Sequence, residues 1–218
     1  IVQCHHHSNF TYLAAFVLPV IMMMALYYTR GIFPWGNECY LRSDMYHQYA
    51  PFFSELWHKI RNGESLTYSW NIGMGTNFTS LFAYYLASPS NWFVALFPQK
   101  YTIEIMNAFI ILKIAGSSLS LTYYLTKHNN NKHVIAAIFG MFYGMSGFIA
   151  AYSWNIMWLD CVILIPLIML GLERLVNENR CIFYCITLGL CIFTNYYIAI
   201  MVCLSVVIYY VVLMIAYN

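Results

Sequence analysis

Six apolar runs divide this 218-residue chain, and each is about as long as a helix needs to cross a bilayer. Roughly 20 mostly apolar residues make such a span. The runs are Phe10–Tyr28, Tyr101–Leu125, Val134–Tyr152, Leu159–Leu175, Cys181–Asn195 and Ala199–Tyr217. Only Asn195-Tyr196-Tyr197 separates the last two. Between the first and second runs lies a polar stretch, residues 30–100, which holds Glu38, Asp44, Glu55 and Glu64, half of the eight carboxylates. The pattern predicts an all-α fold: a polytopic membrane helical bundle whose residues 1–218 form one transmembrane domain, with 30–100 as a large loop inserted between two spans. The chain stops just after an apolar run, which predicts that it is the N-terminal part of a longer protein.

Composition narrows the function classes. Charged residues make up 8% of the chain, against about 25% in soluble domains. Aromatics reach 19%, with tyrosine dominant, which suits interfacial belts in a lipid bilayer. A net charge of +2 without a basic cluster excludes nucleic acid as a partner. Cys161, Cys181, Cys185, Cys191 and Cys203 lie in apolar runs and read as small hydrophobes. Cys39 stands in the polar loop without an evident partner, and the run His5–His7 is left out of the site reasoning.

Short basic turns set the orientation, because lysine and arginine stay on the cytoplasmic side. Lys127 and Lys132 flank one turn and Arg174 and Arg180 another. Alternation then places the long loop, the Ser153–Asp160 turn and Asn195–Tyr197 together on the external face. The loop's own Arg30, Arg42, Lys59, Arg61 and Lys100 speak against this, but long loops translocate largely regardless of charge.

Within the loop, Met45, Tyr49, Phe52, Phe53, Leu56, Trp57 and Ile60 recur at helical spacing. This predicts an amphipathic helix lying on the membrane surface, with Glu55 and Lys59 on or near its polar side. Ser43 suits the N-cap, Pro51 either kinks the helix or marks its first turn, and Asn62-Gly63 ends it. Phe78–Leu86 reads as a second surface helix.

The chemistry is sought among the ionisable and amide residues of one face, since charges near a bilayer usually mark function. On a helix Asp44, His47 and Gln48 share a face, and the carboxylate could act as general base toward a sugar or alcohol hydroxyl. The competing reading is a solvated first-turn acid favoured by the helix dipole. Asp160 follows Trp154-Asn155-Ile156-Met157-Trp158-Leu159 and at that depth needs a partner, a cation or a proton. Asn195 with Tyr196 is either a tight turn or a substrate contact. Lys113, inside the second run, either snorkels to a boundary or pairs with an inward acid. Gly73-Met74-Gly75-Thr76-Asn77 lacks the βαβ unit of a dinucleotide site; it reads as a flexible loop whose N–H groups, with Asn77, could still meet a phosphate.

Several ordered motifs together resemble the YfhO family of bacterial membrane proteins. They are Ser43-Asp44 with Gln48-Tyr49-Ala50-Pro51-Phe52, Gly63 through Trp70, Gly73 through Phe78, Tyr84 through Asn91, Trp158-Leu159-Asp160 through Pro166-Leu167, and Thr194-Asn195-Tyr196-Tyr197. The resemblance implies a GT-C type glycosyltransferase that is multi-pass in the bacterial cell membrane. Its donor would be a polyprenyl-phosphate-linked sugar and its acceptor a cell-wall polymer such as lipoteichoic acid, with the active face external. Asp44 matches the catalytic acidic residue of the first external loop. Arg42 or Lys59 would hold the phosphate, while His47, Gln48, Asn77, Asp160, Asn195 and Tyr196 would contact substrate. The paired Asp-x-Asp of some GT-C enzymes is absent, since Arg42 stands two residues before Asp44, and this leaves a divalent metal cofactor open. The alternatives are a transporter or flippase for a lipid-linked saccharide and a non-catalytic membrane scaffold.

Overall fold

The computed structural model describes residues 2–41, 44–130 and 134–216. Arg42, Ser43, Lys132 and Tyr217, which entered the reading above, lie outside the described residues. As expected, the fold is an all-α bundle. Helix α1 (Val2–Thr29) leads into the long loop, and α4 (Thr102–His128), α5 (Val134–Gly144), α6 (Gly147–Tyr152), α7 (Leu159–Glu178), α8 (Ile182–Thr194) and α9 (Tyr196–Ala216) follow it. The loop itself carries α2 (Ala50–Asn62), a two-stranded hairpin of β1 (Tyr68–Ser69) and β2 (Thr76–Asn77), and the short α3 (Phe78–Leu81).

Four segments are long and apolar enough to cross a membrane: Phe10–Thr29, Gln99–His128, Val134–Tyr152 and Tyr196–Ala216. Six were expected. Helix α7 has the length, but with Asp160, Glu173, Arg174 and Glu178 it carries more charged residues than the four spans allow in a comparable stretch. Helix α8 has 13 residues, about 20 Å at the usual rise, short of the roughly 30 Å hydrocarbon core. The spanning segments turn wide apolar faces outward, with Leu13 and Ile21 on α1 and Leu204, Ile208 and Val211 on α9 all exposed. In water such faces would be a liability; in lipid they are the solvated surface.

Helix directions follow from three contacts. Tyr12 at the start of α1 bonds Thr126 near the end of α4 (2.8 Å), so these two helices run antiparallel. Lys113 of α4 meets Asp160 at the start of α7, and Tyr124 further along α4 meets Glu173 further along α7 (2.7 Å), so these two run parallel. Glu173 also binds His128 and Tyr209 of α9, closing a four-residue polar cluster at the end of the bundle away from the long loop. Helix α5 lies against α4 through Gly140 and Gly144, a small-xxx-small pair that lets backbones approach. A Cβ at Gly144 would stand 2.8 Å from the carbonyl oxygen of Ile114. One at Gly140 would overlap the Thr122 hydroxyl and the Ser118 carbonyl.

The loop roofs this bundle. Its helical path begins at Asp44, runs through a π-helical stretch, Met45–Tyr49, and continues as α2. The Ala50 N–H bonds the carbonyl of Met45, five residues back. Pro51 then falls at the start of α2 within this continuous helical path, so its missing N–H leaves a carbonyl of the preceding π-helical stretch without that partner. Gly63 closes the helix in the left-handed region (φ 66°), its N–H on the Lys59 carbonyl.

The apolar stripe predicted for the membrane surface is instead buried in protein. Met45, Tyr49, Phe53 and Leu56 join Met106, Ile110 and Ile114 of α4 in one core. At about 1.5–3 kcal/mol for each fully buried large side chain, that contact ties the roof to the bundle. Glu55 and Lys59, expected on the polar side, are also buried. Lys59 donates to the carbonyls of Ser65 (3.0 Å) and Tyr68 (2.8 Å) and lies 3.7 Å from Glu55. Glu55 accepts from Ser69 (2.6 Å) and Asn71 (3.0 Å). The segment read as a flexible Gly73–Asn77 loop is thus partly a strand, since Thr76-Asn77 pairs with Tyr68-Ser69. Residues 78–86 are helical as expected, with Phe82–Leu86 again in π-helical form.

Filling the α4–α5 contact should loosen the bundle. Gly144→Val forces α5 off the Ile114 carbonyl and is expected to cost about 1–3 kcal/mol, as overpacking does. Gly147→Ala, where a Cβ meets nothing within 4 Å, serves as control. Thermal unfolding in detergent should show a lowered midpoint for the first variant and an unchanged one for the second.

Candidate functional site

At the loop end of the bundle, four segments converge on an aromatic mouth. The π-helical stretch supplies Tyr49, whose hydroxyl donates to Asn155 Oδ1 (2.8 Å). Its ring stacks on Trp154 at 6.2 Å and 11° and leans on Tyr85 at 5.4 Å. Residues 82–86 supply Tyr84 and Tyr85; Tyr84 packs edge-on to Tyr196 (5.7 Å) and near Tyr197 (6.4 Å). Trp158 stacks with Tyr197 (6.2 Å). Rings with a polar edge, clustered this way, provide flat apolar faces with hydrogen-bonding tips.

Asp44 is half-buried just before the π-helical stretch. Its charge is felt by the mouth. Burial pushes the Tyr49 hydroxyl pKa well above the ordinary tyrosine value, and the Asp44 carboxylate is the next cause. The Tyr85 hydroxyl is raised as well, by burial first, then by Tyr84 and by Asp44. A neighbouring negative charge disfavours a second one, so the two phenols stay protonated beside the carboxylate. Gln48 receives a long contact from the Tyr85 hydroxyl (3.5 Å).

The turn below the mouth is fixed by an ion pair. Lys113 Nζ lies 2.6 Å from Asp160 Oδ2 and donates to the Ile156 carbonyl (3.2 Å). Of the two sequence readings for Lys113, pairing with an inward acid is the one observed. Asn155 and Ile156 are consecutive, so the same short turn meets the roof through Tyr49 and the bundle through Lys113. Its donors are not all used. Asn155 Nδ2 and Trp158 Nε1 are buried without a hydrogen-bond partner among the described residues.

The residues singled out from sequence divide into three groups. Asp44, Gln48 and Tyr196 border the mouth. Asp160 and Asn195 act inside the protein: Asn195 is fully buried, donates to the Tyr84 carbonyl (3.0 Å), and accepts from the Ile198 N–H (2.9 Å) to cap α9. It therefore anchors the roof to the α8–α9 corner. His47 and Asn77 stand apart from the mouth's contacts. His47 is exposed and lines a separate hollow of about 500 Å³ with Ser54, Gln99 and Lys100. Asn77 caps α3 by accepting from the Ser80 N–H (3.4 Å). Lys59 is occupied by the hairpin, and Arg42 lies outside the described residues.

Sequence reasoning did not bring Tyr49, Tyr84, Tyr85 and Asn155 together as one cluster. The doublets Tyr84-Tyr85 and Tyr196-Tyr197 were visible, but only the contacts between loops show that they meet. Among the described residues no three His, Cys, Asp or Glu side chains gather as a metal cage.

A helical bundle of membrane-spanning length, roofed by a loop that carries a half-buried carboxylate beside an aromatic mouth, defines a polytopic membrane protein with a candidate site at one end. The chain belongs to the family of bacterial membrane protein YfhO, whose family profile matches residues 14–218. No curated protein and no solved structure matches it.

The Lys113–Asp160 pair can be tested apart from any activity. Lys113→Met strands a partly buried carboxylate, and breaking a fully buried pair from one side typically costs about 3–5 kcal/mol, so a loss toward the lower end is expected. Adding Asp160→Leu should restore much of that stability. Melting of the two variants in detergent checks this; a double variant no more stable than Lys113→Met would mean that the pair is not what holds the turn.

Proposed function

We propose that this chain is part of a membrane glycosyltransferase of the GT-C kind, which moves a sugar from a polyprenyl-phosphate donor to a cell-wall polymer such as lipoteichoic acid on the outer face of the cell membrane. The observation that carries the reading is the joint placement of Asp44, Tyr49 and Tyr85 at the mouth. Sugars present apolar C–H faces and hydroxyl edges, and the tyrosine and tryptophan rings offer the complementary surface. Family membership supports the membrane setting. The outer face follows from the short basic turns, whose Lys127 and Arg174 belong to the end of the bundle opposite the loop.

The reaction needs one proton moved. The acceptor hydroxyl attacks the anomeric carbon, the bond from that carbon to the phosphate oxygen breaks, and the phosphate leaves with the electron pair. Asp44 takes the hydroxyl proton as the new bond forms. Phosphate is a weak base and needs little acid help. The Tyr85 hydroxyl, half-buried and held only by a long contact to Gln48, would meet sugar oxygens, while Tyr49 and Asn155, buried and bonded to each other, hold the turn beneath it. Gln48 and Tyr196 would border the sugar, and the acceptor polymer would approach from the loop side.

A second reading, a transporter or flippase for a lipid-linked saccharide, draws on the break between α5 and α6 inside one apolar span and on the charged pair of Lys113 with Asp160, features that transporters use. Against it, those two charges neutralise each other within hydrogen-bonding distance.

Asp44→Asn keeps the shape and removes the base. Sugar transfer by the full-length protein from a polyprenyl-phosphate donor should fall by about 10²–10⁴-fold, the usual contribution of a general base, with expression and melting unchanged. Near-normal transfer by this variant would return Asp44 to the role of a first-turn acid at a helix start. Saccharide movement across a sealed vesicle without transfer would favour the second reading.

A further inference from the structure

A groove of about 850 Å³ runs beside the mouth, between the last two turns of α1, the chain leaving it, and the α5–α6 segment. Its volume is that of a small-molecule site. Polarity is graded along it. Met23, Leu26, Ile114, Met145 and Ile149 line the part toward the membrane middle, while Arg30, Glu38, Tyr40 and Ser153 line the loop end. Both helices that flank it belong to spanning segments with most of their residues outward, 28% and 22% buried in their apolar windows. The groove therefore lies between two spans that present most of their surface to lipid.

Two further observations mark it as a ligand seat. First, Tyr27 lines the groove and is 2% exposed, yet its hydroxyl has no hydrogen-bond partner among the described residues. A buried donor left idle is costly, and a ligand oxygen would satisfy it. Second, the span Val134–Tyr152 is broken beside the groove, with α5 ending at Gly144 and α6 starting at Gly147. Irregular backbone at membrane depth is tolerated where it lines a cavity. Arg30 adds charge: among the described residues it makes no ion pair within 4 Å.

We propose that this groove seats the phosphate end of a long-chain polyprenyl phosphate, an assignment that rests on the transferase reading above. Arg30 would pair with the phosphate, since a guanidinium matches its oxygens two at a time. Tyr27 would donate to a phosphate oxygen. Met23 to Arg30 is about 10 Å of helix, so only the chain nearest the phosphate would lie in the groove and the rest would stay in the bilayer. Trp154 ties the groove to the mouth, because it lines the groove and its ring stacks on Tyr49. A phosphate at Arg30 would leave its sugar to pass Trp154 toward Asp44.

The test is binding, measured by native mass spectrometry on the full-length protein in detergent, with undecaprenyl phosphate, undecaprenol and phosphatidylglycerol as probes. Undecaprenyl phosphate should bind best, with undecaprenol about tenfold or more weaker through loss of the charged contact. Arg30→Gln should weaken the phosphate by a similar factor and leave undecaprenol unchanged. Ala150→Trp, which fills the groove at an exposed position, should block both isoprenoids, and melting confirms that it folds. Phosphatidylglycerol binding as tight as undecaprenyl phosphate, or wild-type affinity in Arg30→Gln and Ala150→Trp, overturns the assignment. Asp44→Asn separates the two readings. Binding kept and transfer lost supports both, whereas phosphate-selective binding by a wild-type protein without transfer leaves the groove standing and removes the transferase. Transfer with unaltered binding in both groove variants does the reverse.

Discussion

The contact between Lys113 and Asp160 is the constraint on which the loop end of the bundle depends. Neither charge could stay in an apolar interior alone. Together they fix the start of α7 against α4, and the second interaction of the ammonium, with the Ile156 carbonyl, fixes the turn before it. That turn carries Trp154 and Asn155, which hold Tyr49. Asp44 stands just before the five-residue stretch that ends at Tyr49. The position of the candidate base is thus reached from the membrane interior in a short series of contacts.

A second fastening works from the opposite side. Asn195 interrupts the apolar sequence between α8 and α9, and its side chain spans two jobs, capping α9 and holding the Tyr84 carbonyl. The buried Glu55–Lys59 pair secures the hairpin to α2. Each of these polar groups is fully engaged, which is why a loop of some seventy residues can present a defined surface. The groove differs in kind. Among the described residues its Tyr27 hydroxyl has no hydrogen-bond partner and its Arg30 guanidinium no ion pair.

Much of the fold was legible because hydropathy in a membrane chain maps directly onto helices. The apolar runs, the Pro51 and Gly63 signals and the helical character of 78–86 all reappear in the structure. Two readings changed for physical reasons. The loop helix looked like a membrane-surface helix because periodicity reports an apolar face without saying what covers it; here the cover is α4. Glu55 and Lys59 looked solvent-facing because the hairpin that buries them lies six to sixteen residues further along the chain. The site was less legible. Asp160 was marked as needing a partner and Lys113 as either snorkelling or pairing with an acid, yet nothing in their spacing names one for the other. Asn195 and Asn77 were grouped as substrate contacts because a turn amide and a binding amide look alike in sequence. Tyr49 and Asn155 meet across 106 residues.

The π-helical stretch before α2 has a consequence for how this loop tolerates length changes. A wide turn holds one residue more than an α-turn, so it absorbs an extra residue between Asp44 and the stripe of α2 that grips α4. Removing a single residue from Met45–Tyr49 would let the stretch relax to a regular α-turn and leave Asp44 at nearly the same bearing around the helix axis. Removing one from α2 itself, which has no residue to spare, would instead swing everything before it by about 100°. The stretch is thus the place where this helix can lose a residue without turning Asp44 away from Tyr49 and Tyr85.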